Sequence, residues 1–248
     1  MKCYTSFKEL DTLGAALAKE YIKSTHRWNS FCFDIEGFIT DFIHINITYA
    51  NFAEDDPSKI GFFSNGLTPL MVYKNKTPTS VVFPINTIVL ENYLKRNDQS
   101  ARRRFTLGHE AAHYLLQKHV PMQMVSCFHS EFDSKLDYDP KEMKQMLSMT
   151  EAQANRLAAA LLMPDFLMGR QINKYNDGKN IICYDGGVFA QEDKIKMQNM
   201  ADNLGVSYSA FVSRLMELEL IEYHPIEEYI DKLELTGIKN ATTIFTSM

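Results

Sequence analysis

Apolar residues recur along this chain with two different periods, and the alternation between them predicts its elements. Ser6-Phe7-Lys8-Glu9 has the Ser-x-x-Glu form of a capping box, and Leu10, Leu13, Leu17 and Ile22 follow at roughly helical spacing. A helix is predicted from there through Ile22. Residues 28–37 fit neither period. Ile43, Ile45, Ile47 and Tyr49 alternate with His44, Asn46 and Thr48, the signature of a strand. His44 reads there as an exposed or satisfied sheet residue rather than a ligand. Ile60-Gly61-Phe62-Phe63, Asn65-Gly66 and the run from Leu70 to Tyr73 have the form of a hairpin. Residues 74–80 read as loop, and residues 81–83 as more sheet, bent at Pro84.

Beyond residue 94 the helical period takes over. Phe105, Ala111, Ala112, Leu115 and Leu116 mark one helix. Residues 150–164, rich in Ala and Leu, mark a second that stops at Pro164. Asp139-Pro140 looks like an N-cap with Pro in the first turn. A turn-rich stretch carries Asn176-Asp177-Gly178, Ile181-Ile182 and Gly186-Gly187, the best candidate boundary between subdomains. Residues 192–204 form a helix closed by Gly205, and Ser207 caps another through Leu220. Together these two resemble a helix-turn-helix. Residues 232–248 read as a short helix and frayed tail. The predicted class is α+β: a small antiparallel or mixed sheet beside a helical core, then a C-terminal helical subdomain.

The chemistry concentrates in His109-Glu110-Ala111-Ala112-His113. On a helix, residues four apart share a face, so His109 and His113 can hold one divalent ion. Glu110 lies beside the first ligand and can act as a general base. Two histidines on an ordinary amphipathic surface would give the same pattern. A catalytic zinc usually takes a third protein ligand, and Glu151 can supply it if the second helix packs beside the first. Asn155, one turn on, could then accept the outer N–H of a ligating histidine. The competing role for Glu151 is a capping box with Ser148. His119, His129 and Tyr138 are open choices for an oxyanion donor, and Cys127 or Cys183 could occupy an open coordination position. The Arg102-Arg103-Arg104 run is either a solvated face or a source of one Arg that orients a carboxylate.

Arg-Phe-Thr-Leu-Gly-His-Glu-Ala-Ala-His and Glu-Ala-Gln-Ala-Asn-Arg-Leu-Ala-Ala-Ala-Leu-Leu-Met-Pro resemble the ImmA/IrrE family of metallo-endopeptidases, over residues 102–116 and 150–164. The resemblance implies a zincin-like core of the gluzincin type. His109, His113 and Glu151 would hold one Zn2+ per chain, Glu110 would be the general base, and Asn155 matches the family's Asn. It also implies a protein substrate, a helix-turn-helix repressor of a mobile element or stress response. The chain departs from the family at Gln153, where Glu is common, and at Leu157, where an aromatic is common. The expected division is a zinc metallopeptidase-like domain over 1–187 and a helical subdomain over 188–248.

A net charge of −5 and a pI near 5.8 argue against a general nucleic-acid binder. Arg214 is the one cation on the second helix of the helix-turn-helix-like pair, among Glu217, Glu219 and Glu222, so no direct contact with nucleic acid is expected. Four scattered cysteines without a C-x-x-C pair fit a reducing compartment. With no signal-peptide pattern and no apolar run long enough to span a bilayer, the expected place is the cytoplasm, away from membranes. Two other readings stay open: a partner that binds a repressor or antitoxin without cutting it, and a DNA-binding regulator.

Overall fold

A computed structural model describes residues 5–56, 59–119 and 140–235. Ser6 caps helix α1, Phe7–Thr25, through a reciprocal pair: its hydroxyl accepts from the Glu9 N–H, and the Glu9 carboxylate accepts from the Ser6 N–H at 2.7 Å. The helix ends at His26, in the left-handed conformation, somewhat beyond the predicted end. Residues 28–34 are turns and bends without a regular element, so they fit neither period. A short α2, Ile35–Gly37, capped by Asp34, leads into a π-helical turn, Phe38–Phe42. There the rings of Tyr21, Phe33, Phe38 and Phe42 meet with centroids 5.4–5.8 Å apart.

Five strands follow: β1 Asn46–Ala50, β2 Gly61–Ser64, β3 Pro69–Lys74, β4 Thr77–Val82 and β5 Thr87–Glu91. The main sheet is mixed, in the order β1-β5-β2, with β1 parallel and β2 antiparallel to β5. The expected hairpin between residues 60 and 73 is not formed, because β2 turns instead to β5 and β3 pairs with β4. The turn-forming pair is Asn75-Lys76, within the segment expected to be loop. Both residues have positive φ, at 51° and 67°, as a two-residue primed turn requires. His44 is exposed just ahead of β1, also at positive φ.

The central strand β5 serves both faces of its sheet, as a period of two demands. Ile88 and Leu90 join the main core, while Val89 packs with Phe62, Leu70 and Val72 under the β3–β4 hairpin. Against the first face lies α3, Ser100–His119, with Leu107, Ala111, Ala112 and Leu115 buried. Helix α4, Pro140–Leu162, packs against both α1 and α3. Its alanines allow close contact: a Cβ added at Gly14 of α1 would stand 2.6 Å from Ala160 Cβ. Because α4 begins at Pro140, Ser148 lies well inside it and the capping role for Glu151 is ruled out. The Asp139 cap falls outside the described residues.

The chain continues through α5 Asp165–Asn176, β6 Ile181–Tyr184, α6 Gln191–Leu204, α7 Tyr208–Glu217, β7 Ile221–His224 and α8 Ile226–Leu235. Gly205 closes α6 and Ser207 caps α7, as predicted. Helix α7 stops at Glu217, short of Leu220, because the chain turns there to pair β7 in parallel with β6. One apolar cluster runs from Leu10 on α1 to Ile221 on β7, across the expected boundary at Gly186-Gly187.

Candidate metal centre

Helix α3 sets His109 and His113 on one face, and α4 brings Glu151 to them. The Nε2 atoms of the two histidines stand 3.0 Å apart. Glu151 reaches both, with Oε1 3.2 Å from His113 Nε2 and Oε2 3.4 Å from His109 Nε2. Donors held at about 2.0–2.2 Å by a tetrahedral ion are roughly 3.3–3.6 Å from one another. The contacts of 3.0, 3.2 and 3.4 Å, the last two made by different oxygens of Glu151, are close to the donor spacings of such a shell. Among the described residues, no other group of histidine, cysteine or acidic side chains is gathered this way.

The outer face of His109 is tied as well. Its Nδ1 lies 2.9 Å from Asn155 Oδ1. An amide oxygen can only accept, so Nδ1 carries the proton and the Nε2 lone pair turns inward. Burial pushes the His109 imidazole toward the neutral form, but Glu151, Glu110 and the Asn155 bond outweigh it and leave its pKa raised. The Glu110 and Glu151 carboxylates that favour a positive charge on this ring also favour a cation beside it. Neutral imidazole and carboxylate form a donor set for zinc and for several other divalent ions.

Glu110 points off the ligand face. It is only 9% exposed and its carboxylate packs beside Gly61 at the start of β2. This neighbour was not visible in the sequence, because nothing in the spacing connects a glycine in a strand to a glutamate nearly fifty residues on.

A model of the IrrE N-terminal-like domain (Peptidase_M78) matches residues 93–216. The chain belongs to this peptidase family. The match takes in α3 through α7, including His109, Glu110, His113, Glu151 and Asn155, and begins just after β5. A comparison with curated proteins returned no match.

Other candidates of this family member are occupied structurally. Arg104 reaches the α6 C-terminus, donating to Gly205 O at 2.9 Å and Leu204 O at 3.4 Å, and also to Phe33 O at 2.7 Å. A cation suits a helix C-terminus, so this Arg joins the metal helix to α6 rather than orienting a carboxylate. Arg103 donates to Glu36 and Leu94 O, and Arg102 lies over the Tyr93 ring. Cys183 is buried in β6, its thiol pushed up by burial and by Asp185, and it belongs to no ligand group. Cys127, His129, Tyr138 and the His119 side chain lie outside the described residues. No helix among those described is long and apolar enough to cross a membrane.

Proposed function

We propose that this chain is a zinc-dependent endopeptidase in which His109, His113 and Glu151 hold the ion. The observation that carries the proposal is the convergence of two imidazole nitrogens and one carboxylate within 3.0–3.4 Å of one another, beside a buried Glu110. Zinc bound there would supply Lewis acidity, acidifying a water and polarising a peptide carbonyl. Glu110 takes the proton of the attacking water and passes it to the departing amine nitrogen. Asn155 holds His109 in the tautomer that ligates.

The sheet supplies the place for an extended substrate. Ile60 O accepts from Glu91 N, so residues 60 and 91 form a hydrogen-bonded antiparallel pair. By alternation the backbone groups of Gly61 and Phe63 face away from β5, along the outer edge of β2. A substrate strand added at that edge runs past Glu110. By the family's habit the substrate is a helix-turn-helix repressor met in the cytoplasm, with residues 188–248 as a packing or docking subdomain. Arg214, the one cation on α7 that could have read DNA, is 1% exposed and bonded to Met163 O, Asp11 and Glu217.

The test is a peptide-library digest followed by mass spectrometry. Zinc-loaded protein is expected to create new termini, and Glu110→Gln to keep its zinc while losing about 10³-fold in turnover. Full turnover in the Gln variant, or no new termini from the zinc-loaded parent, would overturn the proposal.

A further inference from the structure

Gly61 is the first residue of β2 and sits in a notch on α3. A Cβ added there would lie 2.6 Å from Glu110 Oε1, 2.6 Å from Thr106 Cγ2 and 3.2 Å from Glu110 Cδ. Contacts under 3.0 Å are essentially never made by real Cβ atoms, so any side chain at this position must displace something. The backbone does not ask for glycine: the positive-φ glycines do not include Gly61. Glycine weakens a strand interior and often marks a close approach. At Gly61 the close approach is to the carboxylate of Glu110.

The notch has one stiff wall and one soft wall. Thr106 is β-branched, 7% exposed, and its hydroxyl donates to Arg102 O at 2.9 Å. Glu110, one turn later on the same face, ends in a flexible arm. One turn further, Tyr114 packs on Phe63 with ring centroids 5.5 Å apart. Thr106, Glu110 and Tyr114 thus form a row along α3 under alternate residues of β2, whose register on β5 is fixed over four residues. With the strand pinned by its ladder and by Phe63, a side chain at Gly61 would push the flexible Glu110 arm aside, and the 2.6 Å approach to Thr106 Cγ2 would be relieved by a small local shift of the backbone.

We propose that Gly61 is a positioning residue for Glu110: its bare Cα lets the carboxylate stand directly against the substrate-facing edge of β2. This rests on the peptidase reading above. The distance between the base and an added strand is then set by a missing side chain, and an error of about 1 Å at such a place costs on the order of 10²-fold in rate.

The experiment uses the full chain carrying Gly61→Ala. The expected results are one zinc per chain as in the parent, kcat on the best library peptide lowered about 10²-fold with KM changed less than about threefold, and a crystal structure with the Glu110 carboxylate displaced while His109, His113 and Glu151 superpose. An undisplaced carboxylate, or kcat within about twofold of the parent, overturns the inference. If the Ala variant does not fold, the same change is made with Thr106→Ala and Glu110→Ala together. Tolerance in that background supports the notch, and equal damage overturns it. The crystallographic displacement needs no substrate, so its absence counts against this inference alone, whereas a parent that cuts nothing counts against the peptidase reading alone.

Discussion

Asn155→Ala tests whether the shell around the two histidines is built for a metal. The substitution removes the oxygen that lies 2.9 Å from His109 Nδ1 and leaves all three proposed ligands in place. Loss of such an outer partner weakens metal binding about 10–100-fold. Asn155 is exposed, so water can take over as acceptor, and the low end of that range applies. The expected cost is about tenfold in zinc affinity, or about 1.4 kcal/mol. Asn155→Asp keeps an acceptor and adds negative charge, so it should bind zinc at least as tightly as the parent. Competition against a chromophoric chelator at fixed pH measures all three proteins. Equal affinity for parent and Ala variant, or an Asp variant as weak as Ala, would refute the reasoning.

The remaining expectations concern stability. Arg214→Met leaves Met163 O unpaired and removes one of the cations facing Asp11, while Arg156 still donates to Asp11 at 3.0 Å. The cost should be about 3 kcal/mol, or roughly 6–12 °C in Tm, measured by calorimetry; an unchanged Tm would argue against a structural Arg214. Burial pushes Asp34 upward, but the Gly37 N–H, the Tyr21 hydroxyl and the Arg27 guanidinium outweigh it and hold its pKa below the ordinary 3.8. A depressed carboxylate stabilises the fold above its unfolded pKa, and that contribution is lost as pH falls through the folded one. Denaturant titrations should therefore show Asp34→Asn less stable than the parent near pH 7, with the gap closing below about pH 4; a gap that widens in acid would contradict the sign.

How much of this was legible beforehand follows from range. The α1 cap, the Gly205 stop and the Ser207 cap are written in neighbouring residues and were read correctly. His109 and His113 share a face because helix geometry is local. Glu151 needed a tertiary fact, the packing of α4 on α3, and local spacing left it balanced against a cap until the helix start at Pro140 removed Ser148 from contention. The hairpin failed for the opposite reason: Asn65-Gly66 is a good local turn, but β2 gains more by burying Phe63 on α3 and pairing with β5. The roles of Arg104 and Arg214 could not be read beforehand because their partners, the ends of α6 and α4, are distant in sequence.

The most direct measurement of the central claim is metal analysis of the purified chain together with anomalous diffraction collected on both sides of the zinc absorption edge. The account predicts one zinc per chain, with the anomalous peak bonded to Nε2 of His109, Nε2 of His113 and the carboxylate of Glu151. A metal-free protein that takes up no zinc, or a peak bonded elsewhere with Glu151 turned away, would contradict it.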